Sequence, residues 1–181
     1  MASTHTKTDD ESYAARIARG LVAGVIGGAV ASFAMDRFQA LASSLLPSGD
    51  GDSEPATEKA ADAVATGVTG HAISDADKPL AGQAVHYAVG IALGAAYGIA
   101  AEFRPSVAAG CGTAFGLGTA TILDEAAVPA TGLGSAPWGA GIASNLYSYA
   151  SHIVFGGVNE IVRRQVAGTL TPQQAGCVPS T

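Results

Sequence analysis

Six ionisable side chains of this 181-residue chain lie inside apolar stretches or at their ends, where a charge is costly. A charge at membrane depth must be paired or hydrated, so such residues usually face a protein interior or a water-filled path. Histidine changes its charge near neutral pH, and a histidine between carboxylates could relay protons. The sequence therefore predicts a candidate polar or proton pathway formed by His86, Glu102, Asp124, Glu125, His152 and Glu160.

Structural roles for the same side chains are the simpler interpretation. Each imidazole can be satisfied by a hydrogen bond across a helix interface, and hydroxyl and amide groups are plentiful around His152. Glu102 and Glu160 lie close to arginines in the sequence and are expected to form ion pairs at helix ends. Under this interpretation the polar groups stabilise the contacts between helices and transport no proton or ion.

Other chemistries are disfavoured by the sequence. Asp36, His86, Asp124 and Glu125 have suitable groups for a divalent cation, but no HxxxH or ExxH pair places two ligands on one helix face, so we expect no metal. No nucleophile with a neighbouring base, phosphate loop or thiol motif is evident, so we expect no catalytic residues, no cofactor and no enzymatic activity. A net charge of -6 and the lack of a basic face argue against nucleic acid as a partner.

Four apolar stretches must position these side chains. They cover residues 17–36, 80–101, 106–123 and 138–162, each close to the length of about 20 residues that a helix needs to cross a bilayer. Only 13% of all residues are charged, roughly half of the usual soluble fraction. The sequence therefore predicts an all-α polytopic membrane protein, a four-transmembrane-helix bundle. A soluble all-helical protein is the alternative, because segments rich in alanine and glycine are only weakly hydrophobic.

Small residues recur every four positions along each stretch, which predicts rows of glycine along one side of each helix. Such rows let two helix backbones approach closely. His86 and Glu102 continue the row of the second stretch, and His152 and Glu160 continue that of the fourth, so these groups are expected to face neighbouring helices. The predicted helix-packing glycines are Gly20, Gly24, Gly28, Gly90, Gly94, Gly98, Gly112, Gly116 and Gly156.

Lysine and arginine positions predict the orientation in the membrane. Arginines precede or open the first stretch, separate the second from the third and follow the fourth, so both termini are expected to be cytoplasmic. Cleavage of a signal peptide near residue 31 is the alternative for the N-terminus, and acidic residues at 9–11 argue against it. The predicted segments are a cytoplasmic N-terminal segment 1–15, the membrane domain 16–164 with an outer loop 47–78 that contains a short amphipathic helix, and a disordered cytoplasmic tail 165–181.

Several short motifs together resemble a known family. They are Ala-Val-His-Tyr at 84–87, Gly-Ala-Ala-Tyr-Gly at 94–98, Asp-Glu-Ala-Ala-Val-Pro at 124–129 and Ser-His-Ile-Val at 151–154. From about Arg16 to Arg164 the chain is similar to the YagU-like family of bacterial inner-membrane proteins, which are largely uncharacterised. At 124–125 some relatives carry histidine where this chain has carboxylates. The resemblance implies an integral protein of the bacterial inner membrane and no established reaction.

Two functions are compatible with this sequence. The one it favours is a membrane scaffold or interaction protein that self-associates through its glycine rows. The alternative is a small proton or ion pathway that contributes to pH homeostasis and acid tolerance. A pathway predicts a continuous polar track through the bundle, whereas a scaffold predicts isolated polar groups satisfied by their neighbours. The expected partners are the lipid bilayer and further copies of the chain.

Overall fold

The computed structural model describes residues 12–45, 54–136, 138–139 and 141–171, and in that part of the chain every regular element is helical. The prediction of an all-α fold is therefore confirmed for these residues. A 3₁₀ segment, Pro105–Gly112, precedes the fourth helix, and one π-helical turn, Leu123–Ala127, joins the fourth to the fifth. The α-helices are α1 (Tyr13–Leu45), α2 (Ala56–Thr69), α3 (Lys78–Phe103), α4 (Thr113–Ile122), α5 (Val128–Ala130) and α6 (Ile142–Leu170).

Several helix boundaries differ from those predicted. α1 continues beyond residue 36 to Leu45, because that interval has no proline or glycine to end the helix. α6 begins at Ile142 and continues to Leu170, so residues 165–170 of the predicted disordered tail are helical. The predicted third span begins with the 3₁₀ segment, in which three successive residues have positive φ. Residues 1–11, part of the predicted outer loop and the end of the tail lie outside the described residues.

Three helical segments are long and apolar enough to cross a membrane: Tyr13–Ser44, Lys78–Phe103 and Pro105–Ala130. α6 has 29 residues, which is ample in length, but it carries Glu160, Arg163 and other polar residues and is not among these three. Membrane-spanning length and hydropathy are thus confirmed for three helices, and the fourth span remains a prediction.

α1 and α3 lie against each other along most of their lengths. Glycines of the two helices face one another at every fourth residue, in antiparallel order. A Cβ on Gly94 would lie 2.6 Å from the Cα of Gly28, so only glycine permits this separation of the backbones. The facing pairs are Gly20 with Gly98, Gly24 with Gly94, and Gly28 with Gly90.

α4 packs against α6 through similar contacts. Gly112 lies against the carbonyl group of Gly156, and Gly116 lies against that of His152. Gly112 also has a φ of 85°, which a residue with a side chain would adopt only with strain. These glycines bring the start of α4 close to the middle of α6 and so fix the position of His152 relative to α4.

Several polar side chains are buried and many large apolar ones are exposed, which is unusual for a soluble protein. Ser32, Ser151, Asn159 and Glu160 are all at most 1% exposed, and most of the buried apolar residues are alanines. Large apolar side chains are instead exposed on every long helix, as a lipid environment requires. They include Ile17, Leu21, Ile26 and Phe33 on α1, Leu80 and Val89 on α3, Leu117 and Ile122 on α4, and Leu146, Ile153 and Ile161 on α6.

Candidate functional site

One end of the helix bundle contains a cavity of about 610 Å³, which we call the chamber. Residues of α1 and of the first half of α3 form two of its walls, and the first turns of α2 form a third. The π-helical turn and the loop after α5 complete it. The ionisable side chains that line the chamber are Asp36, Glu58, His86, Asp124 and His152, and the apolar ones include Met35, Val89, Leu93 and Phe155.

Asp36 and His86 form the first polar pair in the chamber. Nε2 of His86 lies 3.2 Å from Oδ1 of Asp36, within ion-pair distance but not aligned for a hydrogen bond. The amide nitrogen of Gln83 donates a hydrogen bond to Oδ2 of Asp36 at 2.6 Å. Asp36 and His86 continue the facing rows of α1 and α3, which is why these two helices bring them together.

Asp124 and His152 form the second pair. Nδ1 of His152 lies 3.5 Å from Oδ2 of Asp124 and 3.0 Å from the carbonyl oxygen of Ser148, whose hydroxyl donates to Asp124. Asp124 belongs to the π-helical turn, and such turns occur frequently at functional sites because they change the direction of side chains. Glu125 is half-buried in the same turn and is not among the described residues that line the chamber.

Two buried polar side chains lie one helical turn beyond the chamber. Ser32 precedes Asp36 by one turn of α1, and Asn159 follows Phe155 by one turn of α6. Both are 0% exposed, and neither the Ser32 hydroxyl nor the Asn159 amide group has a hydrogen-bond partner among the described residues. Leaving such a group unsatisfied costs about 1–3 kcal/mol. Buried polar groups without a protein partner therefore commonly form a hydrogen bond to a water molecule or bind an ion.

The opposite end of the bundle, which we call the arginine end, carries Arg16, Arg19, Arg163 and Arg164. Glu160 is buried here, and its carboxylate accepts hydrogen bonds from Nε and Nη2 of Arg163 at 2.7 and 2.9 Å. Arg164 also donates to it, and the hydroxyl of Tyr97 donates at 2.8 Å. A buried carboxylate with this many donors is fully paired, which offsets the cost of its burial.

Glu102 is the second carboxylate of the arginine end. Nε of Arg19 donates to its Oε2 at 3.0 Å, and Arg16 donates to its backbone carbonyl. Nη1 of Arg163 lies 4.0 Å from Oε1 of Glu102, so this guanidinium connects Glu102 with Glu160. The network joins α1, α3 and α6, and its arginines offset the repulsion between the two carboxylates.

The six predicted pathway residues thus occupy two places in the bundle. His86, Asp124 and His152 line the chamber, and Glu125 is next to Asp124 in the chain. The remaining two, Glu102 and Glu160, lie at the arginine end and do not line the chamber. The structure therefore brings together the members of each group and leaves the two groups apart.

Sequence reasoning missed four residues that the structure places with these groups. Asp36 is predicted to lie at the outer boundary with Asp124 and Glu125, but it is not among the predicted pathway residues. Its place on the row of α1 indicates that it faces α3. Ser32 lies on the same row, one turn away. Asn159 and Tyr97 also lie within apolar stretches, but an amide or a phenol there is often satisfied by a neighbour, so the residue type alone does not identify them.

The chain matches no family model, no curated protein and no solved structure. Its resemblance to the YagU-like family of bacterial inner-membrane proteins therefore stays a prediction from the quoted motifs. What the protein does is inferred from the chamber, the buried polar side chains and the arginine end.

Proposed function

We propose that this chain is an integral membrane protein with four spanning helices, packed through glycine rows, and that it carries a proton or small-cation pathway. The directions of its side chains support α6 as the fourth span. Its polar residues His152, Asn159 and Glu160 are buried, whereas Ile153 and Ile161 are exposed. These three polar residues of α6 therefore face other helices, and large apolar side chains lie on the exposed face beside them.

In the proposed orientation the arginine end lies at the cytoplasmic face and the chamber opens on the other side. Arg16 and Arg19 begin α1, and Arg163 and Arg164 lie in the last part of α6, so both termini are then cytoplasmic. The resemblance to the YagU-like family suggests the bacterial inner membrane. A pathway between these two faces would serve pH homeostasis and acid tolerance.

The observation that carries the pathway is the buried amide of Asn159. Along α6 it lies between Phe155, which lines the chamber, and Glu160, which belongs to the arginine end. It is fully buried and has no hydrogen-bond partner among the described residues, and Ser32 on α1 shares both properties. Unpartnered polar groups between two ionisable clusters are the arrangement that a hydrated proton path requires.

Each part of this proposed path has a chemical role. The imidazoles of the chamber, each with a carboxylate beside it, are the proton-accepting groups of this path. Ser32 and Asn159 can order water on the next helical turn, about 5 Å deeper. Glu160, which accepts a hydrogen bond from the hydroxyl of Tyr97, is the next ionisable group along the proposed path.

A scaffold remains the second candidate, and the arginine end favours it. The carboxylates there are fully paired and lie apart from the chamber. A scaffold predicts such isolated polar groups that are satisfied by their neighbours. The predicted glycine rows are occupied by contacts within the chain, so self-association would need the exposed apolar faces of the helices instead.

Proton uptake by liposomes that carry the purified protein distinguishes the two functions. An inside-negative potential should acidify vesicles with the wild-type protein faster than vesicles without protein. His152→Ala should reduce this excess severalfold, because it removes one of the proton-accepting pairs. His71→Ala is the matched control, since His71 is exposed in the loop after α2. If the wild-type protein folds but does not raise proton uptake above that of protein-free vesicles, the pathway is refuted and the scaffold is the remaining candidate.

A further inference from the structure

The chamber is far larger than a proton or a bare ion requires. Its volume of about 610 Å³ falls within the range of roughly 300–1,000 Å³ that is typical of sites for small organic molecules. Such sites combine mostly apolar walls with a few polar groups that fix the ligand. The chamber has this composition, with Met35, Val89, Leu93 and Phe155 around the two histidine–carboxylate pairs.

The charges around the chamber have one sign. Asp36, Glu58 and Asp124 line it, and no lysine or arginine is among the described residues that do so. Lys78, the basic residue that begins α3, pairs with Glu54 at 3.1 Å outside the lining. Carboxylates in a partly apolar cavity attract a cation more strongly than they would in water.

A divalent metal ion does not fit this cavity. The described residues contain no group of three His, Cys, Asp or Glu side chains that could hold one. The acids of the chamber are distributed over three elements, with Asp36 on α1, Glu58 on α2 and Asp124 on the π-helical turn. Carboxylates spread around apolar walls suit a ligand with a single charge and a bulky apolar body.

We propose that the chamber binds a small organic monocation with an apolar body, such as an aromatic or aliphatic quaternary ammonium compound. This inference rests on the proposed function in taking the chamber as the outer mouth of the protein. The carboxylates meet the cationic group, and the side chains of Val89, Leu93 and Phe155 meet the apolar body.

Calorimetric titration of the full chain in detergent tests this proposal, with benzyltrimethylammonium as the probe. Benzyl alcohol and benzenesulfonate are the neutral and anionic comparators of similar shape. The wild-type protein should bind the cation saturably and neither comparator. Asp36→Asn and Glu58→Gln should each weaken binding about tenfold, because each removes one carboxylate from the chamber. Glu58 lies on α2, so its variant is informative even if Asp36→Asn fails to fold.

Asp75→Asn is the matched control, since this side chain is 99% exposed on the turn before α3 and does not line the chamber. Absence of saturable cation binding, equal binding of benzyl alcohol, or equal behaviour of Glu58→Gln and Asp75→Asn would overturn the proposal. Proton uptake by liposomes, measured without added cation, separates this failure from that of the proposed function. Uptake without cation binding refutes only the ligand, and cation binding without uptake refutes only the pathway.

Discussion

At the scale of the residue, Glu160 is the most completely paired charge in the described part of the chain. Glu160→Gln leaves the guanidinium of Arg163, whose side chain is 11% exposed, with Glu102 at 4.0 Å as its remaining carboxylate. We expect the free energy of unfolding to fall by about 3–5 kcal/mol, the usual cost of breaking a buried ion pair from one side. Thermal unfolding in detergent micelles measures it. Under the pathway Glu160→Gln also abolishes proton uptake, whereas under the scaffold it changes stability alone.

Arg164 supplies the control for this loss. It donates to the same carboxylate, but its side chain is 56% exposed. Arg164→Gln should therefore lower the unfolding temperature much less than Glu160→Gln does. Equal destabilisation by the two variants would mean that burial of Glu160 is not what makes its pairing important.

Single residues also show how far the sequence predicts the site. His86 and His152 are recognisable because an imidazole in an apolar stretch is unusual, and the structure places both in the chamber. Asn159 is not recognisable in the same way, because an amide inside a helix is often satisfied by a neighbour. Its importance lies in the lack of a partner among the described residues, which is a property of three-dimensional packing.

At the scale of the element, the close contact of α1 with α3 depends on glycine. Gly94→Ala would place a Cβ 2.6 Å from the Cα of Gly28 and should cost about 1–3 kcal/mol. Gly157→Ala meets nothing within 4 Å and should stabilise α6 by about 0.5–1 kcal/mol through helix propensity. Thermal stability of the two purified variants provides the comparison. If both substitutions change the unfolding temperature in the same direction, the α1–α3 contact is looser than described.

The elements were predictable where periodicity determines them. Residues four apart lie on one side of a helix, so the spacing of Gly20, Gly24 and Gly28 indicated a single face. The start of the third apolar stretch was not predictable in this way. Its 3₁₀ segment ends in three residues with positive φ, and the contact of Gly112 with Gly156 that accompanies this backbone involves a distant part of the chain.

At the scale of the whole molecule, the proposed orientation in the membrane rests on where the arginines lie. In a cysteine-free version, Ser74→Cys, in the exposed turn region before α3, should react with a membrane-impermeant maleimide on intact cells. Thr171→Cys, at the end of α6, should react only after the cells are permeabilised. Labelling of Thr171→Cys from outside would reverse the orientation or change the number of spans.

The molecule as a whole is organised around two polar clusters at opposite ends of an apolar exterior. The ionisable residues of the sequence indicate both the chamber and the arginine end. They do not indicate the volume of the chamber, because α2 and the loop after α5 contribute to its walls from outside the apolar stretches. Whether polar residues form a site depends on the distances between segments that are far apart in the chain. The periodicity of the sequence does not determine those distances.

The most direct test of the pathway is proton uptake by liposomes that contain Asn159→Leu, a replacement with the same branching and number of side-chain heavy atoms that removes the buried amide. Gln165→Leu is the control, because Gln165 is exposed on the same helix. Asn159→Ser keeps a hydrogen-bonding group at the site and tests whether polarity is what matters. We predict that Asn159→Leu falls to the background of protein-free vesicles, while Gln165→Leu equals the wild type and Asn159→Ser retains part of the uptake. A folded Asn159→Leu protein that takes up protons at the wild-type rate would contradict the pathway.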